Sequence, residues 1–267
     1  MTAELKMMIR HLGGGVVLIE DLLDEDTLRS IDLNLLENTI EPQGYKKIDG
    51  KDFMEGGYVI PKEDLASMPI RYMQGIEVLP FLETLNNAMY RGAIEYCKLF
   101  PVAAECITDY TGRHFIKYLS GGLMGTHSDA SLGYKPDSIE PNSTVALGNT
   151  ITASIVLNDA FTGGGIKFSA WDLEVYPKPG SALFYPSNYI GAHEVLKITS
   201  GIRWAFLAFF SHGDRTYVSS AVNNQYPERY EWTMKFRDSI RNSIGTTEPN
   251  LNLSQRKVLI SEESAKK

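Results

Sequence analysis

His127, Asp129 and His193 are residues whose types can hold a metal ion between them. Two imidazoles and one carboxylate cover one face of an octahedral ion and leave the opposite face open. That arrangement suits redox-active iron, which must also take a chelating organic acid and dioxygen. In a strand, residues i and i+2 point to the same side, so His127 and Asp129 of His127-Ser128-Asp129 can reach one ion while Ser128 turns away. His193 lies far along the chain and must be brought alongside by the fold. Gly191-Ala192 before it and Glu194-Val195-Leu196 after it place it at the start of another strand. Arg203 is the next piece. Alternation puts Ala205, Leu207 and Phe209 on its face, so its charge enters an apolar interior, which is costly unless it is paired. No acid in that strand supplies a partner. A ligand carboxylate would, because a guanidinium matches a carboxylate in a two-point fork. A dicarboxylate with one end on the metal and the other on Arg203 satisfies both requirements.

A lone His-x-Asp is a weak motif, and a lone strand histidine is usually a hydrogen-bonded core or surface residue. His11, His114 and His212 are read in that ordinary way. The combination of four residues, in this order and in a strand-rich segment, is much less common by chance.

The elements that must position these residues follow from patterning. Val16-Val17-Leu18-Ile19 reads as a strand after Gly13-Gly14-Gly15. Asp24-Glu25-Asp26-Thr27 offers an acidic helix start, and Leu28, Ile31, Leu35 and Leu36 recur at helical spacing. Residues 41–63 are polar and read as loop with short strands. Apolar positions from Glu77 to Phe100 fit a helix. After about Thr108 the texture changes to many short strands: 114–119, 151–157, 166–168, 173–176, 182–185, 193–198 and 202–210. Thr199-Ser200-Gly201 reads as a turn between the last two. Such a series with closely spaced turns predicts a sandwich or barrel. Pro227 to Ile244 reads as a further helix with the proline in its first turn. The organisation expected is one domain over residues 1–267. Residues 1–107 carry a strand and supporting helices, 108–212 the β core, and 213–267 a C-terminal extension.

Composition sets the outer frame. The chain has 267 residues, 43% hydrophobic and 22% charged, which suits a globular protein with a sizeable core. Its formal net charge of -7 disfavours a nucleic-acid partner. The two cysteines, Cys97 and Cys106, make neither a thiolate metal site nor a disulfide framework. No apolar run is long enough to suggest a membrane span or a signal peptide. The reading is a cytoplasmic protein with no membrane partner and an open oligomeric state.

The segment Tyr118 to Phe210 resembles the Fe(II)/2-oxoglutarate-dependent dioxygenases, most nearly their prolyl-4-hydroxylase-like branch. The residues that carry the resemblance are Tyr118, Gly121 and His127 with Asp129, then Ile151 to Asn158 and Gly163-Gly164-Gly165-Ile166-Lys167-Phe168. Pro179 to Phe184, Gly191-Ala192-His193-Glu194-Val195 and Gly201-Ile202-Arg203-Trp204 complete it. The resemblance implies an α+β protein with a mainly β core: a double-stranded β-helix, or cupin-like jelly roll, buttressed by N-terminal helices. It makes His127, Asp129 and His193 the catalytic iron ligands. Arg203 would bind the distal carboxylate of 2-oxoglutarate, Tyr118 would hydrogen-bond the co-substrate, and Val195 would line its pocket. Fe(II), 2-oxoglutarate and dioxygen are the implied cofactors, with ascorbate as an accessory reductant. Many members carry a tyrosine three residues before the first iron histidine, where this chain has Met124. Some carry a tyrosine near the position of Val156, whose role Thr152 or Ser154 would take here. Arg203 stands where prolyl-4-hydroxylases proper have lysine.

The implied reaction is hydroxylation of an unactivated C–H bond, with release of succinate and carbon dioxide. The related halogenases have a small residue in place of Asp129, so its presence argues against halogenation. The departures favour a small molecule, such as an amino acid or a natural-product intermediate, over a peptidyl proline. A peptidyl prolyl hydroxylase is the alternative enzyme, and a non-catalytic cupin-like binding module is the alternative of another class. Tyr134, in a loop of about twenty residues after the His-x-Asp, and Trp171 are the candidate substrate contacts.

Overall fold

The computed structural model describes residues 7–42, 45–48, 51–54, 67–107, 109–130 and 148–212, with helical positions at 235, 238, 239 and 242. Strands β1 (Met8–Gly13) and β2 (Val16–Glu20) form an antiparallel hairpin. Two short helices follow, α1 (Glu25–Ser30) and α2 (Leu33–Thr39). Strands β3 (Tyr45–Ile48) and β4 (Lys51–Met54) pair in the polar stretch, and β5 (Ile70–Tyr72) leads to α3 (Leu82–Leu99). Then come β6 (Asp109–Tyr118), β7 (Met124–His127), β8 (Asn149–Val156), β9 (Phe161–Gly163), β10 (Ile166–Phe168) and β11 (Leu173–Val175). Strands β12 (Ala182–Pro186), β13 (His193–Val195), β14 (Ile198–Gly201) and β15 (Arg203–Ser211) complete the described order.

These strands build a seven-stranded sheet of order β1-β2-β12-β8-β15-β6-β5 and a four-stranded sheet of order β11-β10-β13-β7. The large sheet is covered on one face by α3. Val17, Ile19, Phe115, Ile155, Phe184 and Phe206 share a core with Leu85, Met89 and Tyr96 of that helix. Gly92 of α3 lets the helix close on the sheet, since a side chain there would run into the Phe184 ring. The opposite face carries Leu183 and Tyr185, which join Ile166, Phe168 and Val175 of the small sheet. It also carries Ile116, Tyr118 and Ala205, which join Val195 and Ile198. The two sheets thus face each other as a jelly roll, with the helices outside the large sheet.

Three local readings differ from the pattern. The first helical segment is two helices, because Ile31 is extended and Asp32 caps a second start, its side chain accepting from the Leu35 amide. The long helix begins at Leu82 rather than Glu77. Pro80 holds Leu79 extended at φ -75, ψ 123, and only a 3-10 turn precedes it at Ile76–Val78. Thr199-Ser200-Gly201 is part of β14, paired with β9 in a two-stranded ribbon rather than a turn. Its hydroxyls bond Thr162, which explains how a turn-like composition sits in a strand.

Candidate metal and co-substrate site

Strand pairing brings the two histidines together. His193 on β13 lies directly opposite His127 on β7, and their ring centroids are 4.5 Å apart. Cross-strand partners share a face of the sheet, so both imidazoles project into the space between the sheets. Asp129 arrives differently from the sequence expectation. Strand β7 ends at His127, so strand alternation does not place Asp129. Instead Asp129 is tied to the large sheet. Thr152 Oγ1 donates to its Oδ2 at 2.7 Å, and Asn149 Nδ2 donates to its carbonyl at 3.0 Å. The amide of Ala130 donates to the Ser187 carbonyl at 2.8 Å. One ligand atom each from His127, Asp129 and His193 fall within 4.8 Å of one another, close enough to share one ion.

The imidazoles are set up as donors. His127 Nδ1 is 2.9 Å from the Gly125 carbonyl and His193 Nδ1 is 3.0 Å from the Gly191 carbonyl. A carbonyl only accepts, so each Nδ1 carries a proton, and in the neutral ring Nε2 holds the lone pair that a metal takes. Burial lowers the proton affinity of His193 against the opposing charge of Asp129, and the charge of His127 adds to the lowering. For Asp129, burial works toward protonation. The His127 hydrogen bond, the His193 charge and the Thr152 hydroxyl outweigh it and hold the carboxyl below its usual range. For His127, burial opposes protonation, but the hydrogen bond and charge of Asp129 prevail and raise it. The site therefore keeps an ionised carboxylate between two imidazoles, the donor set of a 2-His-1-carboxylate metal centre.

Arg203, on β15, is 2% exposed, and its Nη2 has no hydrogen-bond partner. It pairs across the sheet with Tyr118 of β6, and its guanidinium carbon lies 5.5 Å from the Tyr118 ring centroid. Burial depresses its proton affinity, while Tyr118 and Tyr185 act to support the charge. Burial also pushes the Tyr118 hydroxyl up to about 12. A buried guanidinium with an idle N–H is a receptor for an anion. Gly164, at φ +66, makes room for it. A Cβ there would collide with Ile198 and come within 3.0 Å of Arg203 Cδ.

The other expected positions divide. Val195 is buried beside Ile116, Tyr118, Ile198 and Ala205. Ser154 is buried and shares a row of the sheet with Leu183 and Leu207. Thr152 points at Asp129 and at Ser187 Oγ, 2.9 Å away, rather than toward Arg203. Trp171 is not with the trio. Its indole covers Gly14 of the β1–β2 turn, and its N–H donates to the Ile190 carbonyl at 2.9 Å. Tyr134 lies outside the described residues. Tyr185 escaped the sequence reading. Its hydroxyl is buried and lies 3.1 Å from His193 Nε2, an atom that can only accept, so Tyr185 donates. Its signal was parity: Leu183 and Tyr185 share a face of β12, opposite Ser154 and Thr152.

A jelly roll with a two-histidine, one-carboxylate corner defines the class of protein. Residues 113–211 match the family model described as "2OG-Fe(II) oxygenase superfamily". A Pseudomonas putida prolyl-4-hydroxylase structure is similar at 16% identity, with TM-score 0.51, covering 75% of this chain and 94% of that one. A Trichoplax adhaerens prolyl hydroxylase, solved with a peptide fragment of hypoxia inducible factor, is similar at 15% identity. Its TM-score is 0.51, covering 74% of this chain and 84% of that one. No curated protein matches the chain by sequence. Residues 113–211 thus carry a 2OG-Fe(II) oxygenase domain, and the fold is prolyl-4-hydroxylase-like. It is an Fe(II)/2-oxoglutarate-dependent oxygenase, using dioxygen as the third reactant. No helix among the described residues is long and apolar enough to cross a membrane.

Proposed function

We propose that His127, Asp129 and His193 hold Fe(II), that Arg203 and Tyr118 hold 2-oxoglutarate, and that the protein hydroxylates a small molecule. Arg203 carries the co-substrate part of this reading. It is a fully buried cation, partnered only by an aromatic face, with an idle N–H and room made for it by a glycine. The distal carboxylate of 2-oxoglutarate would satisfy that N–H, in a pocket that the buried Val195 and Ile198 would help keep apolar. When bound, iron and 2-oxoglutarate supply with dioxygen the oxidant for an unactivated C–H bond, leaving succinate and carbon dioxide. The chain's own residues position and orient. The Gly125 and Gly191 carbonyls keep a proton on each Nδ1. Thr152 aims the Asp129 carboxylate. Tyr185 sets its buried hydroxyl beside the Asp129 carboxylate and the His193 ring and occupies space water would otherwise take.

The small-molecule substrate is supported by the departures at Met124 and Arg203 from the pattern of the prolyl-4-hydroxylases. The fold likeness to two prolyl hydroxylases supports a peptidyl proline as the second reading. The test begins without oxygen. Fe(II) and 2-oxoglutarate added to the protein should give the weak visible charge-transfer band of the chelate. His127→Ala should lose the band and Arg203→Ala should weaken it. Folded wild-type protein without a band overturns the assignment. Succinate release on addition of amino acids, metabolites or proline-containing peptides then decides between the two substrate classes.

A further inference from the structure

We propose that Arg71, on β5, is the docking point for a carboxylate of the primary substrate, so that the enzyme acts on an anionic, amino-acid-like small molecule held at the rim of the metal corner. The proposal rests on the Fe(II)/2-oxoglutarate reading above and adds a substrate class to it.

The register of the large sheet places Arg71 on the site face. On β6, Arg71 pairs with Ile116, and Tyr72 pairs with Phe115. Phe115 and Tyr72 belong to the core beneath α3, whereas Ile116 belongs to the inner cluster with Tyr118 and Val195. Directly opposed residues in an antiparallel pair share a face. Arg71 therefore stands in the row of Ile116 and Ala205, beside the row that holds Tyr118 and Arg203. It is also at the edge of the sheet, because β5 is the last strand in the order.

That edge adjoins the His127 side of the corner. The segment before β5 is tied to the segment before β7 by the Leu123 amide, which donates to the Ser67 carbonyl at 3.2 Å. β7 is in turn the edge of the small sheet. His193 lies inside and is buried, whereas the His127 side chain, on β7, is 31% exposed. A molecule reaching the metal corner from the His127 side passes the β5 edge. The Arg71 charge also acts to lower the proton affinity of His114 and Tyr118, which places it within electrostatic reach of the inward face of β6.

The partner count separates Arg71 from ordinary surface arginines. Arg10 pairs with Glu20, Arg29 with Glu25, and Arg113 with Glu77, while Arg91 donates to the Leu22 carbonyl. Among the described residues, the arginines with neither an ion pair nor a hydrogen bond are Arg203 and Arg71. Both look into the same interior, one deep and one at the rim. Arg203 is accounted for by the far carboxylate of the co-substrate. Arg71 is exposed, so it can meet an anion without the burial cost that Arg203 carries. A guanidinium facing a reaction centre from this position selects a carboxylate by charge and by its fork of donors.

The test uses the protein loaded with Fe(II) and 2-oxoglutarate. The common free L-amino acids are offered in parallel with their C-terminal amides, and succinate release is measured. At least one free acid should stimulate release while its amide does not. Arg71→Gln should raise KM for that acid by roughly tenfold to a hundredfold, the range expected for a charged hydrogen bond. It should leave kcat and the 2-oxoglutarate titration of the visible band in place, and Arg71→Lys should recover part of the loss. If no free acid stimulates, if acid and amide act equally, or if KM does not move in Arg71→Gln, the proposal is overturned. A wild-type protein lacking the band would instead remove the co-substrate assignment and Arg71's role with it. A normal band with no acid–amide difference removes Arg71's role alone.

Discussion

Thr152 shows how one hydroxyl can set the geometry of a metal corner. Asp129 stands past the end of its strand, so Asn149 and Ser187 hold its backbone while Thr152, with His127 and Tyr185 beside it, fixes where its carboxylate points. Thr152→Val keeps the shape and removes the hydrogen bond. Fe(II) affinity, measured by anaerobic titration, should fall about 10- to 100-fold, as for other partners that orient a metal ligand. An unchanged affinity would mean the strand end holds Asp129 unaided. Asp129→Ala should abolish hydroxylated product, and undiminished product would remove Asp129 from the ligand set. Of the site, the residue types were readable and much of the orientation was not. His127, Asp129, His193 and Arg203 stand out in the sequence because charged or metal-binding groups among apolar strand residues are conspicuous. Tyr185 and Arg71 do not, and Thr152 stands out only as a stand-in for a tyrosine near Arg203, not as a partner of Asp129. Their meaning depends on which strand lies beside which, and a register is not written in any single segment.

Elements position the site through pairing rather than through their own sequence. Strands β7 and β13 are short, yet opposing them across one ladder converts two distant histidines into a pair. The strand-rich character after residue 108 was legible from alternation and turn residues, as was the amphipathic face of α3. What the pattern missed had local physical causes: an aspartate that restarts a helix at Asp32, a proline that delays α3, and hydroxyls that make a ribbon of Thr199-Ser200-Gly201. The Gly163-Gly164-Gly165 run gives an element-level prediction. Gly164→Ala puts a side chain at φ +66 and against Arg203 and Ile198. A left-handed non-glycine residue costs about 1–2 kcal/mol. Passed on to Arg203, that corresponds to roughly tenfold weaker 2-oxoglutarate binding, read from the titration of the visible band. Full affinity would show that the arginine arm can shift freely.

For the whole molecule, burying polar groups between two sheets links stability to acidity. His114 faces inward on β6, with Nδ1 2.6 Å from the Gly112 carbonyl. Burial lowers its proton affinity from the ordinary 6.5 to about 4. The unfolded chain then takes up a proton that the folded chain refuses, so this contribution is complete above pH 6.5 and is lost as pH falls toward 4. Between pH 7 and pH 5 it amounts to about 2 kcal/mol. Urea unfolding at the two pH values should show that drop in the wild type and a smaller one, by about that amount, in His114→Phe. Equal drops would mean that His114 is free to charge in place. The depth of Arg203 against the exposure of Arg71 has one more consequence, for traffic. A co-substrate bound for Arg203 must pass the rim that the substrate occupies. Early arrival of the substrate would shut the co-substrate out, and late departure of the product would hold succinate in. The enzyme should therefore follow a compulsory order, slow itself at high substrate concentration, and recover speed when 2-oxoglutarate is raised.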